Sequence, residues 1–157
     1  MGENGAKWCK VVKGDEHTVD CVGSFQFNMD AKNRVFIPSK YREYYKGGFY
    51  VCKGADKCLY VYTLDNWEVV SAKIKALPGT PQGRAFKRDF FKNADMADLD
   101  AQGRFIIKAE LAQYAGLKKE CVILGAGDRF EIWNPEDYED DSYRTPTADE
   151  VGMDEIF

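Results

Sequence analysis

DAKNR at residues 30–34 recurs as DAQGR at residues 100–104, and an apolar triplet follows each at once, Val35-Phe36-Ile37 in the first and Phe105-Ile106-Ile107 in the second. The match runs on outward from there. SKYREYY, YVCKGA and LYVY come next in the first copy, with a Trp at Trp67; AELAQYAG, CVILGA and FEIW come next in the second, with a Tyr at Tyr138. The offset is 70 where Asp30 and Arg34 meet Asp100 and Arg104, and 71 where Gly54-Ala55 meets Gly125-Ala126, so one residue is inserted between these points. Two copies predict a pseudo-dimer within one chain, whereas a stacked solenoid generally needs about three repeats or more.

Period and punctuation give the local structure. Phe25 to Asp30 and Arg34 to Ile37 read as strands joined by Ala31-Lys32-Asn33, a three-residue hairpin loop whose last position takes the left-handed conformation. Gly103 supplies that position in the second copy, and Asn33, the next most tolerant kind of residue, supplies it in the first. Asp30 and Arg34, like Asp100 and Arg104, then face each other across the neck, a pairing that contributes under about 1 kcal/mol. Pro38 ends the strand and Ser39 is expected to cap a helix beginning at Lys40. Two further strands flank each Gly-Ala turn. Between the copies, Trp67, Val70, Ile74 and Leu77 form a helical stripe that Pro78-Gly79 terminates, and Thr80 caps a second helix with Pro81 in its first turn. On that helix Phe86 and Phe90 share a face, and Arg84, Lys87, Arg88 and Lys92 crowd the opposite one.

The expected organisation is a loosely ordered extension over 1–22, a first repeat over 23–69, a helical connector over 70–94, a second repeat over 95–139 and an acidic tail over 140–157. The net charge of −4 divides unevenly. From Pro135 onward nine acidic residues stand against one arginine, a net of −8, which leaves the preceding body at +4. Such a tail is expected to start as a short helix and then fray, because it has few apolar residues to pack.

Several classes are disfavoured. No stretch approaches the length of a membrane span and the N-terminus lacks the apolar centre of a signal peptide, which predicts a cytosolic protein with no membrane partner. The five cysteines contain no CxxC pair and are odd in number, arguing against a disulfide framework; Cys52 and Cys58 flank a turn and could face each other, with buried thiols the simpler reading. No ligand cluster suggests a metal, and no cofactor is expected. The one histidine, His17, lies four residues before Cys21 with no orienting carboxylate or oxyanion motif, and no GxxxxGK[ST], HExxH or GxSxG occurs, so neither catalysis nor a small-molecule substrate is expected.

The two DxxxR segments, together with LYVYTLDNWE, ALPGTPQGRAFKRDFF and AQYAGLKKECVILGAGDRFEIW, resemble the MraZ family of bacterial transcription regulators, from about Gly23 to about Tyr138. The resemblance implies an α+β fold: an internally duplicated, AbrB-like swapped-hairpin β-barrel pseudo-dimer with short helices and a helical connector. It also implies ring-shaped homo-oligomers that bind double-stranded DNA at direct repeats upstream of their own operon, the division and cell-wall gene cluster, hence a cytoplasmic, nucleoid-associated protein. On this expectation Lys32, Arg34, Gln102 and Arg104 contact DNA, and Asp30, Asn33, Asp100 and Gly103 shape the loops. Each hairpin would be a stiff ribbon able to enter a major groove, with Arg34 and Arg104 suited to phosphate or to the O6 and N7 edge of guanine. Lys32 adds a charge where Gln102 can only hydrogen-bond.

Plainer readings stand beside these. Arg34 and Arg104 could serve only to pair with Asp30 and Asp100; Lys40, Arg42 and the basic face of the connector helix could be solvated surface; and an antitoxin-type protein-binding module shares swapped hairpins. The sequence departs from the family at Asn33, where a glycine is usual, at Lys108-Ala109 in place of a proline-containing turn, at Ala112 in place of the helix arginine that Arg42 supplies in the first copy, and in the long extension before Phe25. The departures at Lys108-Ala109 and Ala112 predict a second half that is more structural than functional.

Overall fold

The computed structural model describes residues 19–140, 145–153 and 155. Among these residues eight strands and five α-helices follow one another as β1 (Ser24–Asn28), β2 (Arg34–Phe36), α1 (Arg42–Tyr45), β3 (Phe49–Lys53), β4 (Leu59–Thr63), α2 (Leu64–Lys75), α3 (Pro81–Asn93), β5 (Asp95–Ala97), β6 (Arg104–Ile106), α4 (Ala109–Tyr114), β7 (Glu120–Gly125), β8 (Phe130–Trp133) and α5 (Pro135–Tyr138). The fold is the α+β, duplicated swapped-hairpin arrangement expected from the sequence.

The swap is visible in the strand order. Six strands form one antiparallel sheet in the order β1-β7-β8-β4-β3-β5, and β2 pairs with β6 in a separate two-stranded ribbon. Strand β1 of the first copy thus lies on the β7–β8 hairpin of the second, while β5 of the second lies on the β3–β4 hairpin of the first. The pseudo-two-fold axis passes between Val35 and Phe105, which pair directly. Backbone bonds from Ile37 N–H to the Gly103 carbonyl (3.1 Å) and from Ile107 N–H to the Asn33 carbonyl (2.9 Å) extend the ribbon symmetrically at its two ends.

Two local expectations need correcting. The segments on either side of each loop do not form a hairpin ladder: after the Asp30 N–H to Arg34 carbonyl bond (3.3 Å) and its counterpart from Asp100 to Arg104 (2.8 Å), the two strands enter different sheets. Alternation specifies a strand and its buried face but not its partner, and here the partner comes from the other copy. Ser39, for its part, caps nothing with its side chain; it begins a single 3-10 turn, Ser39–Tyr41, that Pro38 precedes. Lys108 opens α4 with nearly the same backbone angles (φ −57°, ψ 145°) as Pro38 (φ −53°, ψ 136°), so the missing proline leaves the shape unchanged.

The repeat offset also changes inside the sheet. Phe49 and Val51 face the core as Cys121 and Ile123 do, 72 residues on, whereas Leu59 and Val61 answer to Phe130 and Ile132, 71 on. The turn after β3 is therefore one residue longer than the turn after β7. Aligning Gly54-Ala55 with Gly125-Ala126 conceals this, because Gly125 still belongs to β7 while Gly54 lies beyond β3.

One main core unites both halves: Val35, Ile37, Tyr45, Phe49, Val61, Phe105, Ile107, Leu111, Ile123, Phe130 and Ile132 are buried together. Edge-to-face ring contacts run through it, from Tyr41 to Phe130 at 4.8 Å and from Phe49 to Phe105 at 5.0 Å, both joining the copies. Cys21, read from the sequence as part of the extension, is buried and exchanges backbone hydrogen bonds with Gly127. Residues 1–18, which include His17 and Cys9, lie outside the described residues.

The two connector helices follow the expected punctuation. Thr63 caps α2 by accepting from Asn66 N–H at 3.3 Å, and Thr80 caps α3 by accepting from Gly83 N–H at 3.1 Å, with Pro81 at its first position. Such caps contribute about 1 kcal/mol each. Trp67 stacks between Tyr50 (4.3 Å) and Phe90 (5.5 Å), fastening α2 and α3 to the outer face of β3. At the position of the second copy matching Thr63, Asn134 caps the short helix α5. The expected fraying just after it falls partly on residues 141–144, outside the described residues.

Cys21, Cys52, Cys58 and Cys121 are buried free thiols. Cys52 and Cys58 pack in separate clusters rather than against each other. Burial pushes the Cys52 thiol up to about 12 and that of Cys121 up to about 11, which keeps both protonated and unreactive at neutral pH. No helix among the described residues is long and apolar enough to cross a membrane.

Candidate nucleic-acid interface

Each DxxxR loop is built around its aspartate. Asp30 Oδ1 accepts from the backbone N–H of Lys32 (3.0 Å) and of Arg34 (2.9 Å), and Oδ2 accepts from Arg34 Nε at 2.7 Å. Asp100 repeats the pattern with Gln102 N–H, Arg104 N–H and Arg104 Nε, each at 2.9 Å. The turn closes through Asn33 N–H to the Asp30 carbonyl and Gly103 N–H to the Asp100 carbonyl, both at 3.0 Å. As the loop chemistry requires, Asn33 (φ 59°) and Gly103 (φ 81°) both take the left-handed conformation, and Asn33 is the one described residue other than glycine to do so.

These bonds fix the protonation of the aspartates. The backbone N–H of Arg34 holds the Asp30 carboxyl below the usual carboxylate range, helped by the Arg34 side chain and the Lys32 N–H, and Arg104 and Gln102 act likewise on Asp100. A depressed folded-state value means that the loops' contribution is complete above the unfolded value of about 4 and is lost as pH falls through the folded value. Carboxyl carbon shifts of Asp30 and Asp100, followed from pH 7 to 2, should therefore show both midpoints below that of an unstructured aspartate. Ordinary midpoints would mean the loops are not organised this way in solution.

Tethering through Nε leaves the far end of each guanidinium open. Among the described residues, the Nη nitrogens of Arg34 and Arg104 have no hydrogen-bond partner in the protein, although both side chains are only about a quarter exposed (28% and 22%). Structural pairing and ligand contact are thus compatible in one side chain. An aspartate holding Nε sets the plane of the fork, and the remaining donors project outward.

The register places the two arginines on one surface. In the β2–β6 ribbon Arg34 lies opposite Ile106 and Arg104 opposite Phe36, so all four side chains share the outward face while Val35 and Phe105 point into the core. Instead of two independent ribbons, the chain presents a single ribbon made of one strand from each half, with a loop at each end. Lys32 and Gln102 are exposed at those loops. A surface hollow of about 450 Å³ beside the ribbon is lined by Arg34, Arg104, Ile106, Asp95, Asp98 and Asp100. Asp95 is partly neutralised by Lys108 at 3.4 Å.

Arg42 belongs to this site in a way its sequence position did not reveal. Its Nε donates to the Ile37 carbonyl at 3.0 Å and its guanidinium lies over the Phe36 ring at 5.9 Å. A Cβ built on Gly103 would fall into that guanidinium, so Gly103 serves both a left-handed backbone and a close approach. By the pseudo-two-fold, the place over Asn33 belongs to Ala112. The two departures from the family pattern fall at equivalent places: glycine lies under arginine at one loop, and asparagine and alanine hold the corresponding positions at the other. Lys40 and the cations Arg84, Arg88 and Lys92 are exposed.

Arg129 was also not singled out from the sequence. It stacks on Tyr60 at 4.0 Å and bonds Asp128 (2.9 Å) and Glu131 (2.8 Å), while Glu131 in turn accepts from Trp133 Nε1 at 2.9 Å. The alternation Asp128-Arg129-Phe130-Glu131 across the start of β8 was the available signal. This network braces β4 against β8.

The MraZ family model, described as "MraZ protein, putative antitoxin-like", matches the chain twice, over residues 21–89 and 90–149. The chain is similar to the transcriptional regulator MraZ of Carboxydothermus hydrogenoformans, 48% identical over 116 residues that span 73% of this chain and 81% of the relative. It is similar also to those of Clostridium acetobutylicum, 44% identical over 73% of this chain and 82% of the relative, and Clostridium tetani, 41% identical over 76% and 84%. With both halves matched and relatives this similar across some three quarters of its length, the chain belongs to the MraZ family, a family of transcriptional regulators and not of enzymes.

Proposed function

We propose that this transcriptional regulator binds double-stranded DNA through the outward face of the β2–β6 ribbon, and that it works as a ring-shaped homo-oligomer on direct repeats upstream of its own operon in the division and cell-wall gene cluster. The observation that carries this reading is the pair of arginines, each fixed through Nε by its loop aspartate with its outer nitrogens open, on one face of a two-stranded ribbon. Two-stranded ribbons fit the major groove, where arginine recognises guanine O6 and N7. Arg34 and Arg104 read bases or phosphates, Lys32 neutralises phosphate and Gln102 hydrogen-bonds. Asp30, Asn33, Asp100 and Gly103 hold the loops. Such a protein acts in the cytoplasm, associated with the nucleoid.

One chain alone is a weak ligand. Two or three phosphate contacts give a slope of log K against log salt of only about −2 to −3. Assembly changes this, because linked sites on spaced boxes gain by effective concentration, often about 10² to 10⁴-fold. Light scattering should therefore give a mass several times 17.9 kDa, and binding to the native upstream DNA should show a salt slope several times steeper than that of one chain. A strict monomer with salt-insensitive binding would sink the proposal. The antitoxin-like wording of the family description supports a second reading, a protein-binding module, for which a stable protein complex and indifference to the upstream DNA are the expected results.

A further inference from the structure

Between the two arginines the ribbon carries apolar side chains that face solvent rather than core. Phe36 is 38% exposed and Ile106 60% exposed. Strand alternation puts them on the same side as Arg34 and Arg104, and the register sets Ile106 directly across from Arg34. Opposed residues on one face of an antiparallel pair have Cβ atoms about 5 Å apart. A guanidinium on a guanine edge would thus bring Ile106 over a neighbouring base pair.

The two halves differ at this point. Phe36 is covered by the Arg42 guanidinium, whereas the equivalent cover over Ile106 is missing because Ala112 stands in place of arginine. One end of the ribbon offers a bare branched aliphatic beside Arg34. The other offers an aromatic ring beneath a cation beside Arg104. A chain with an accurate two-fold axis would read inverted repeats, since protein symmetry is mirrored in its site. This chain is two-fold in backbone but not in the chemistry of its reading face.

We infer that Ile106 is a specificity-determining residue that contacts the 5-methyl group of a thymine next to the base pair engaged by Arg34, and that its difference from Phe36 under Arg42 fixes the direction in which each chain lies on its box. Thymine is the base whose major-groove edge carries an apolar group, and aliphatic or aromatic side chains read it by contact. A directional reading face suits head-to-tail repeats, where every box must be met in the same sense. The inference rests on the ribbon being the DNA-binding face.

Replacing each thymine of one box in turn by deoxyuridine removes that methyl and nothing else. With the full-length protein on its own upstream DNA, one position should weaken binding about 3- to 10-fold. Ile106→Ser should bind thymine DNA weakly by a similar factor and show no further loss on the uridine DNA, while Phe36→Ser should still respond to the uridine change. Ile106 is exposed, so the variant should keep the wild-type melting temperature. Indifference of the wild type to every uridine, or a further loss when Ile106→Ser meets the uridine DNA, overturns the assignment. If neither DNA is bound at any ionic strength, the DNA reading itself has failed; if binding is retained and Arg34→Ala abolishes it, only the methyl contact is at stake.

Discussion

Arg34→Ala lowers affinity for the native upstream DNA by about 100-fold or more, since each lost base contact costs about 1–3 kcal/mol and an assembly engaging several boxes loses several at once. Arg104→Ala acts in the same direction. Folding should barely change, because the Arg34–Asp30 pair lies at the protein surface, where an ion pair contributes little. A gel shift or fluorescence anisotropy titration gives the affinity, thermal melting gives the stability, and light scattering shows whether assembly survives.

The same experiment separates the two roles of the arginine when Asp30→Ala is run beside it. Were Arg34 only a strut for its loop, removing Asp30 would cost at least as much as removing Arg34, since it breaks the Arg34 Nε bond and two backbone bonds besides. On the DNA reading the two differ sharply. Asp30→Ala unties Nε and two backbone N–H groups but leaves the cation and removes a carboxylate from the face, so it should cost far less than Arg34→Ala. Equal losses in the two variants would return Arg34 to a structural role and move the contact elsewhere.

Local chemistry is what the sequence made legible. The left-handed positions at 33 and 103, the threonine cap at Thr80 and the loop pairing of Asp30 with Arg34 each depend on residues within a few positions of one another, and each is present in the structure. Partnership at a distance was not legible. Phe25 to Asp30 and Arg34 to Ile37 read as a hairpin because they adjoin a tight loop, yet Phe25 of β1 pairs with Ile123 of β7, 98 residues on, and Val35 of β2 with Phe105 of β6, 70 residues on, and alternation says nothing about partners at that distance. The outward placement of Phe36 and Ile106 was hidden for a related reason: an unbroken apolar triplet looks buried on both faces until a sheet shows that only its alternate members are. Arg42 was equally opaque, because its meaning lies in Gly103 of the other copy.

That last contact gives a prediction with a built-in control. Gly103→Asn, which copies the first loop onto the second, should destabilise the protein by about 2 kcal/mol, since the new Cβ must displace the Arg42 guanidinium while the backbone stays left-handed. For a chain of this size the melting temperature should fall by about 4–8 °C. Arg42→Ala alone should cost about 1 kcal/mol through its lost bond to the Ile37 carbonyl. The double variant rebuilds at residues 103 and 42 the combination that Asn33 and Ala112 already make across the pseudo-two-fold. It should therefore be more stable than the sum of the single losses by about 1 kcal/mol or more, as expected for groups in contact. Strict additivity would mean that glycine is required at 103 for its backbone freedom alone, and that the arginine–glycine and alanine–asparagine pairs are unrelated features of the two halves.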